Sequence, residues 1–420
     1  MKNWTSQLRS VAAVGVCLLM ASPALPYSVL SHEAVVDTLW ASSFRPALLA
    51  RFPDATEEEM QQAHAYAYGG CIIQDMGYYP FGSKFFSDLT HYVRSGEFVE
   101  ALLRDASNLN EYAFALGALE HYAGDNLGHP LATNLSVPLA YPQLRRKFGR
   151  RVTYEDDPVA HLRIEFAFDV VQVAHQHYAS ADYHNFIGFE VSKDLLARAF
   201  LETYSLDINK VFSNLDLALG SYRWSVRSLI PTMTKAAWAA NKKDIAHTGS
   251  GITKRQFLYN LKRSSYEKEW GREYQSPGAW ARFLGFLIRV LPKVGPLKAL
   301  AMPKLTRESQ ELFMRSFNAT IRKGEDLMAG AEYIDFSLAN QNFDTGEPLL
   351  PGKYFLADET YFTLIGLLFE THYAGISPGL RENILAYCKD PAALHLGKHQ
   401  DPEKLEARLA ELRNTAPALP

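Results

Sequence analysis

Apolar residues recur at three- and four-residue spacing through residues 31–50, 55–68, 96–129, 157–180 and 192–229. That is the period of a helix with one buried face. Strict apolar–polar alternation, the mark of a half-buried strand, is scarce, and Asn-Gly or Asp-Gly hairpin signals do not stand out. The expectation is an all-α, multi-helical fold. No repeat of 20–50 residues argues for a solenoid. With 420 residues, 47% hydrophobic and 21% charged, the chain can bury one large core or two ordinary ones.

The first residues read as an export signal. Lys2 and Arg9 supply positive charge, Val11 to Met20 form a short apolar run, and Ser22-Pro23-Ala24 offer small residues for cleavage. The run is short for a membrane span, and an uncleaved anchor is the alternative. The expected localisation is periplasmic or extracellular, with residues 1–26 removed. Losing Lys2 and Arg9 takes the net charge from −3 to −5, so nothing points to a stable nucleic-acid partner through bulk electrostatics. Cys71 and Cys388 then remain, which is no disulfide framework, although the two stay candidates for pairing.

A polar, Gly-rich stretch at Lys242–Gly251 suggests a boundary between a domain at 27–240 and a helical C-terminal extension at 241–420. Residues 133–158, with Pro138, Pro142, Gly149 and Pro158, read as a loop. That stretch carries Arg145, Arg146, Lys147, Arg150 and Arg151, a solvated charge run or an anion contact. Residues 278–304 are apolar but interrupted by Arg289, Lys293 and Lys298. They fit a buried helix pair with snorkelling lysines, or an interfacial helix making peripheral membrane contact. The tail after Asp401 reads as a charged surface helix.

The chemistry concentrates in His121-Tyr-Ala-Gly-Asp125-Asn-Leu-Gly-His129. Residues four apart share a helix face, so His121, Asp125 and His129 form a polar stripe over two turns. Gly117, Gly124 and Gly128 lie nearby. Each costs a helix about 1 kcal/mol relative to alanine, so something must approach the backbone closely. His161 and Glu165 repeat the spacing, and His32, Asp75 and His91 lie upstream. A lone His four residues from an Asp is usually a surface pair or a satisfied core group. Five histidines and three carboxylates on otherwise apolar helices have a better reason to gather in a shared metal site, since His and carboxylate are good zinc ligands.

This combination resembles the zinc-dependent phospholipase C family and its relatives, the fungal single-strand nucleases. The resemblance runs from Tyr27 to about Glu165 and more loosely to about residue 230. It implies an all-helical domain holding three zinc ions. Asp75, His91, His121 and Asp125 would hold one; His129, His161 and Glu165 the second; His32 and Asp125, with the α-amino and carbonyl groups of Tyr27, the third. Asp75 would double as general base. The family usually begins its mature chain with Trp where this sequence has Tyr27, which needs cleavage after Pro26. Its spacing from the helix aspartate to the next histidine is also longer than the one ending at His129.

The implied activity is hydrolysis of a phosphodiester, a phospholipid head group above all. The alternatives are a single-strand nuclease or nucleotidase on the same zinc core, and a non-catalytic, zinc-stabilised surface protein. Arg163 and the basic run are candidate phosphate contacts. The aromatics Tyr66, Tyr68, Tyr78, Tyr79, Phe81, Phe85, Phe86 and Tyr92 are mostly core by their spacing, with choline contact or base stacking as alternatives. His64, His175, His177 and His184 read as structural, Asp182 and His184 as candidates to support a ligand from behind.

Overall fold

A computed structural model describes residues 29–174, 189–226, 303, 305–331, 336–398 and 400–416. The expected export signal, Tyr27, the expected 242–251 boundary, His175, His177, Asp182, His184 and nearly all of 278–304 lie outside the described residues. The architecture is all-α, relieved only by one two-residue hairpin among the described residues.

The chain enters on α1 (Val29–Leu39), winds through a π-turn at Trp40–Phe44 and continues as α2 (Arg45–Arg51). Helix α3 (Glu57–Gly70) starts at a reciprocal cap, in which the Thr56 hydroxyl accepts from the Glu59 N–H and the Glu59 carboxylate accepts from the Thr56 N–H. Such caps satisfy two donors that a helix start otherwise leaves orphaned. A 3₁₀ segment at Ile73–Tyr78 leads to α4 (Lys84–Tyr92). The periodic stretch 96–129 is two helices, α5 (Ser95–Asp105) and α6 (Leu109–Gly128). The break falls where the Asn108 side chain accepts from the Glu111 N–H at 3.0 Å, capping α6.

Helix α6 is the axis of the molecule. Every residue from Glu111 to Asn126 is buried, as expected of a helix apolar all round. It runs against α3 at backbone contact: a Cβ on Gly117 would lie 2.1 Å from the Ala67 carbonyl oxygen. Only glycine permits that approach, and the cost of a mid-helix glycine is thereby explained.

After Gly128 a π-turn, His129–Thr133, carries the chain into α7 (Asn134–Ala140) and α8 (Pro142–Phe148). The stretch expected as a loop is therefore largely helical. Pro142 sits at the first turn of α8, where its missing N–H costs nothing, and Pro138 is accommodated within the short α7. Arg145, Arg146 and Lys147 lie exposed in the last turn of α8, favourable to its dipole. Then follow α9 (Pro158–Ala174), α10 (Lys193–Tyr204) and α11 (Leu215–Trp224).

The C-terminal part wraps this body. Helix α12 (Arg307–Gly330) packs along α6 and α1. Strands β1 (Gln341–Asn342) and β2 (Glu347–Pro348) pair antiparallel, Gln341 opposite Pro348. Helices α13 (Phe355–Phe369), α14 (Pro378–Tyr387) and α15 (Pro402–Asn414) complete it, α15 burying Leu405, Leu409 and Leu412. One apolar core includes residues from Val29 to Leu412 and so joins both halves. No described helix is long and apolar enough to cross a membrane.

Candidate metal centre

Four other elements converge around Asp125, near the end of α6. Its Oδ2 lies 3.2 Å from His121 Nε2 and 3.4 Å from His91 Nε2, the latter on α4. His91 Nε2 is also 3.2 Å from Asp75 Oδ1, on the 3₁₀ segment. The other oxygen, Oδ1, lies 3.2 Å from His32 Nε2 on α1 and 3.4 Å from His129 Nε2 in the π-turn. One carboxylate thus faces four imidazoles.

A second group adjoins the first through His129. Its Nδ1 is 2.8 Å from His161 Nε2 and 3.2 Å from Glu165 Oε1, and His161 Nε2 is 2.8 Å from that same oxygen. The π-turn turns His129 so that one ring nitrogen faces each group, a use of π-bulges common at functional sites. Two sets of ligand atoms therefore lie close enough together to hold a metal ion: Asp75, His91, His121 and Asp125, and His129, His161 and Glu165.

The rings are held from behind. Ser87 O accepts from His91 Nδ1 at 2.7 Å and Cys71 O accepts from His121 Nδ1 at 2.9 Å. A carbonyl can only accept, so Nδ1 carries the hydrogen in both rings and Nε2, in the neutral ring, turns a lone pair towards the carboxylates. His32 Nδ1 faces both oxygens of Glu120 at 3.2–3.3 Å, and its ring stacks on that of His121 at 4.5 Å. A Cβ on Gly124 would fall 2.6 Å from His32 Cε1, so glycine there lets the His32 ring reach Asp125.

These residues fit a divalent cation. Both oxygens of Asp75, Asp125 and Glu165 are buried without a hydrogen-bond partner among the described residues, as is His121 Nε2. Buried carboxylates in such number are strongly unfavourable unless a cation compensates them. Protons serve in part. Burial opposes charge on His91, but Asp125 and Asp75 outweigh it and push its pKa up to about 10. Burial likewise opposes charge on His129, and Asp125 again raises it. For Asp125 burial works against ionisation, yet His121 and His129 hold it well below the usual carboxylate range. Burial lifts Glu165 well above that range and lowers His161.

Against this geometry, the model of the family described as zinc dependent phospholipase C matches residues 31–214. Over those residues the chain is similar to that family. No curated protein and no solved structure matches the chain. The phospholipase C segment contains His32, Asp75, His91, His121, Asp125, His129, His161 and Glu165, and the fold brings all eight together, while Tyr27 precedes it.

Several residues at the centre escape a reading of the sequence. Glu120 looks like an ordinary helix residue, and its role shows only once α1 lies across α6. Phe343 and Asp344 come from the β1–β2 turn, beyond the phospholipase C segment. The Phe343 ring lies 5.2 Å from His91 and 6.0 Å from His121. With Tyr78, 6.0 Å from His91, and Tyr154, edge-on to His161 at 5.6 Å, it gives the polar centre an aromatic wall. The Asn342, Asp344, Thr345 and Gly346 composition signals a turn, but no ligand.

Other expectations resolve differently. Cys71 and Cys388 are both free and buried. His64 stacks on Trp40 at 3.7 Å and lies 3.2 Å from Asp37, as a structural histidine should. Tyr68 and Phe86 are core, and Phe81 is half exposed with a positive φ.

Proposed function

We propose that the chain is an exported zinc-dependent phosphodiesterase that hydrolyses the head-group ester of a phospholipid. The observation that carries this reading is the Asp125 carboxylate, each of whose oxygens faces two imidazole nitrogens at 3.2–3.4 Å in a fully buried setting. A carboxylate with several lone pairs can serve two cations at once. In the proposal Asp75, His91, His121 and Asp125 hold one zinc, His129, His161 and Glu165 a second, and His32 and Asp125, with backbone groups of Tyr27, a third.

Zinc in such a site acts as a Lewis acid on a phosphoryl oxygen and lowers the pKa of water to about 7. The remaining work falls to the chain. The Ser87 and Cys71 carbonyls fix the tautomers and orientations of His91 and His121. Phe343, Tyr78 and Tyr154 screen the centre from bulk water, which strengthens every electrostatic interaction inside. Asp75, whose Oδ1 lies 3.2 Å from His91 Nε2, would take a proton from the attacking water.

The test is zinc per chain on the purified protein, followed by turnover of phosphatidylcholine vesicles and of single-stranded DNA. About three zincs and lipid hydrolysis support the proposal. Zinc with nuclease activity alone replaces the substrate assignment, and zinc with neither activity points to a non-catalytic protein.

A further inference from the structure

Asp344 lies beyond the phospholipase C segment, yet its carboxylate reaches the centre. Its Oδ1 is 3.8 Å from His129 Nδ1 and 4.0 Å from His161 Nε2. Ligand atoms around a tetrahedral zinc, each about 2.0–2.1 Å from the metal, stand roughly 3.3 Å apart. His129, His161 and Glu165 stand 2.8 to 3.2 Å from one another, and Asp344 stands 3.8 and 4.0 Å from the two imidazoles, so these five separations bracket that value. We infer that Asp344 supplies a further carboxylate ligand to the metal position framed by His129, His161 and Glu165. The inference rests on the zinc reading proposed above.

The two oxygens of Asp344 have different surroundings. Oδ2 accepts from the Tyr154 N–H and from the Tyr354 hydroxyl, both at 2.8 Å. Oδ1 is buried with no hydrogen-bond partner among the described residues, in a side chain 4% exposed. One oxygen is anchored and the other is aimed into the cluster. Leaving a buried carboxylate oxygen unsatisfied is costly, and a cation removes that cost.

The backbone around it is equally fixed. The Asp344 N–H donates to Asn342 Oδ1 at 2.9 Å, and its carbonyl accepts from Asn134 Nδ2 at 2.7 Å. The Phe343 N–H donates to the His91 carbonyl at 3.3 Å. The turn is thus tied to α7 and to α4, beside the two groups of ligands. Two carboxylates and two imidazoles would neutralise a dication there, and zinc can still expand to five-coordinate to admit substrate. The extension then belongs to the active centre and does not merely cover it.

The experiment compares the full chain with Asp344→Asn, Asp344→Glu and Tyr354→Phe. Zinc per chain and affinity by chelator competition are measured for each, and the visible spectrum after cobalt substitution reports the coordination sphere directly. Asparagine can keep one oxygen for Tyr154 and Tyr354 but turns an amide NH₂, which cannot ligate, towards the cluster. The expected result for Asp344→Asn is loss of one zinc equivalent with an altered cobalt spectrum, a larger effect than the about 10–100-fold weakening that follows loss of a group behind a ligand. Tyr354→Phe should keep the wild-type zinc number. Wild-type stoichiometry, affinity and cobalt spectrum in Asp344→Asn would overturn the inference while leaving the zinc reading intact. A wild-type chain that takes up no zinc sinks the zinc reading itself, and the inference with it. Should Asp344→Asn not fold, Asp344→Glu decides: a shifted cobalt spectrum supports ligation, and an unchanged one overturns it.

Discussion

Glu120 and His32 meet inside the protein with no solvent exposure at either side chain, His32 Nδ1 lying 3.2 Å from Glu120 Oε2. Burial opposes charge on both, but each partner favours the charged form of the other, and the His32 pKa ends well above its ordinary value. The pair orients Nε2 of His32 towards Asp125. Glu120→Gln is therefore expected to weaken zinc binding at the His32 position by about 10–100-fold, with little effect on the His129–His161–Glu165 position. Chelator titration resolving the zinc equivalents checks this, and equal weakening of all of them would contradict it.

Asp125 joins the two oxygen faces of the centre, so its removal should be felt at more than one ion. Asp125→Asn is expected to lose at least two zinc equivalents. A Lewis acid supplies several kcal/mol of transition-state stabilisation, so activity should fall by about a thousandfold or more. Metal analysis beside kcat/KM on the same preparation tests both, and a variant with full zinc but low activity would reassign Asp125 to catalysis alone.

Zinc must displace protons. His91 has its pKa pushed to about 10, and His129 is raised as well. His91 is therefore largely protonated at neutral pH in the metal-free protein, whereas a ligating nitrogen must be neutral. Zinc affinity should rise with pH towards about 10, and binding at pH 7 should release roughly one proton from the His91 ring. Calorimetry in buffers of different ionisation enthalpy measures the number. The metal-free fold should behave in the opposite sense: stability from these raised pKa values is fully present below about 6.5 and lost as pH rises through them.

Asp169 offers a pH effect outside the ligand set. It ties α9 to α1, accepting from the Leu30 N–H at 3.2 Å and from the Ser31 hydroxyl at 2.8 Å. Burial pushes its pKa from 3.8 to about 8, against the pull of those hydrogen bonds. Its contribution to stability is thus complete below about 4 and declines as pH rises through about 8. Asp169→Asn, neutral throughout, lacks that decline. Denaturant unfolding of both proteins between pH 4 and 9 should show the gap changing in the variant's favour as pH rises. A constant gap would mean that Asp169 is ionised throughout.

The helices were legible because their apolar faces keep the helical period, and the two four-residue pairings were legible because α6 and α9 place them on one side. Helix ends were less so: Asn108 divides a continuous apolar period by capping, a local hydrogen bond that periodicity does not register. Residues 134–148 read as a loop because Pro138 and Pro142 break helices in general, while here one starts a helix and the other sits in a helix of only seven residues. Asp344 was beyond reach. Its contact with Tyr154 spans 190 positions, and a turn residue shows its neighbours only after the chain has folded back.

The turn carrying Phe343 also sets an order of events. The helices between Val29 and Trp224 emerge from the ribosome well before residue 343. The Phe343 part of the aromatic wall, over His91 and His121, arrives only with the C-terminal part of the chain. A nascent or truncated polypeptide would thus lack Phe343 beside His91 and His121 and Asp344 beside His129 and His161. The centre is complete only once that turn has folded back onto α4 and α7.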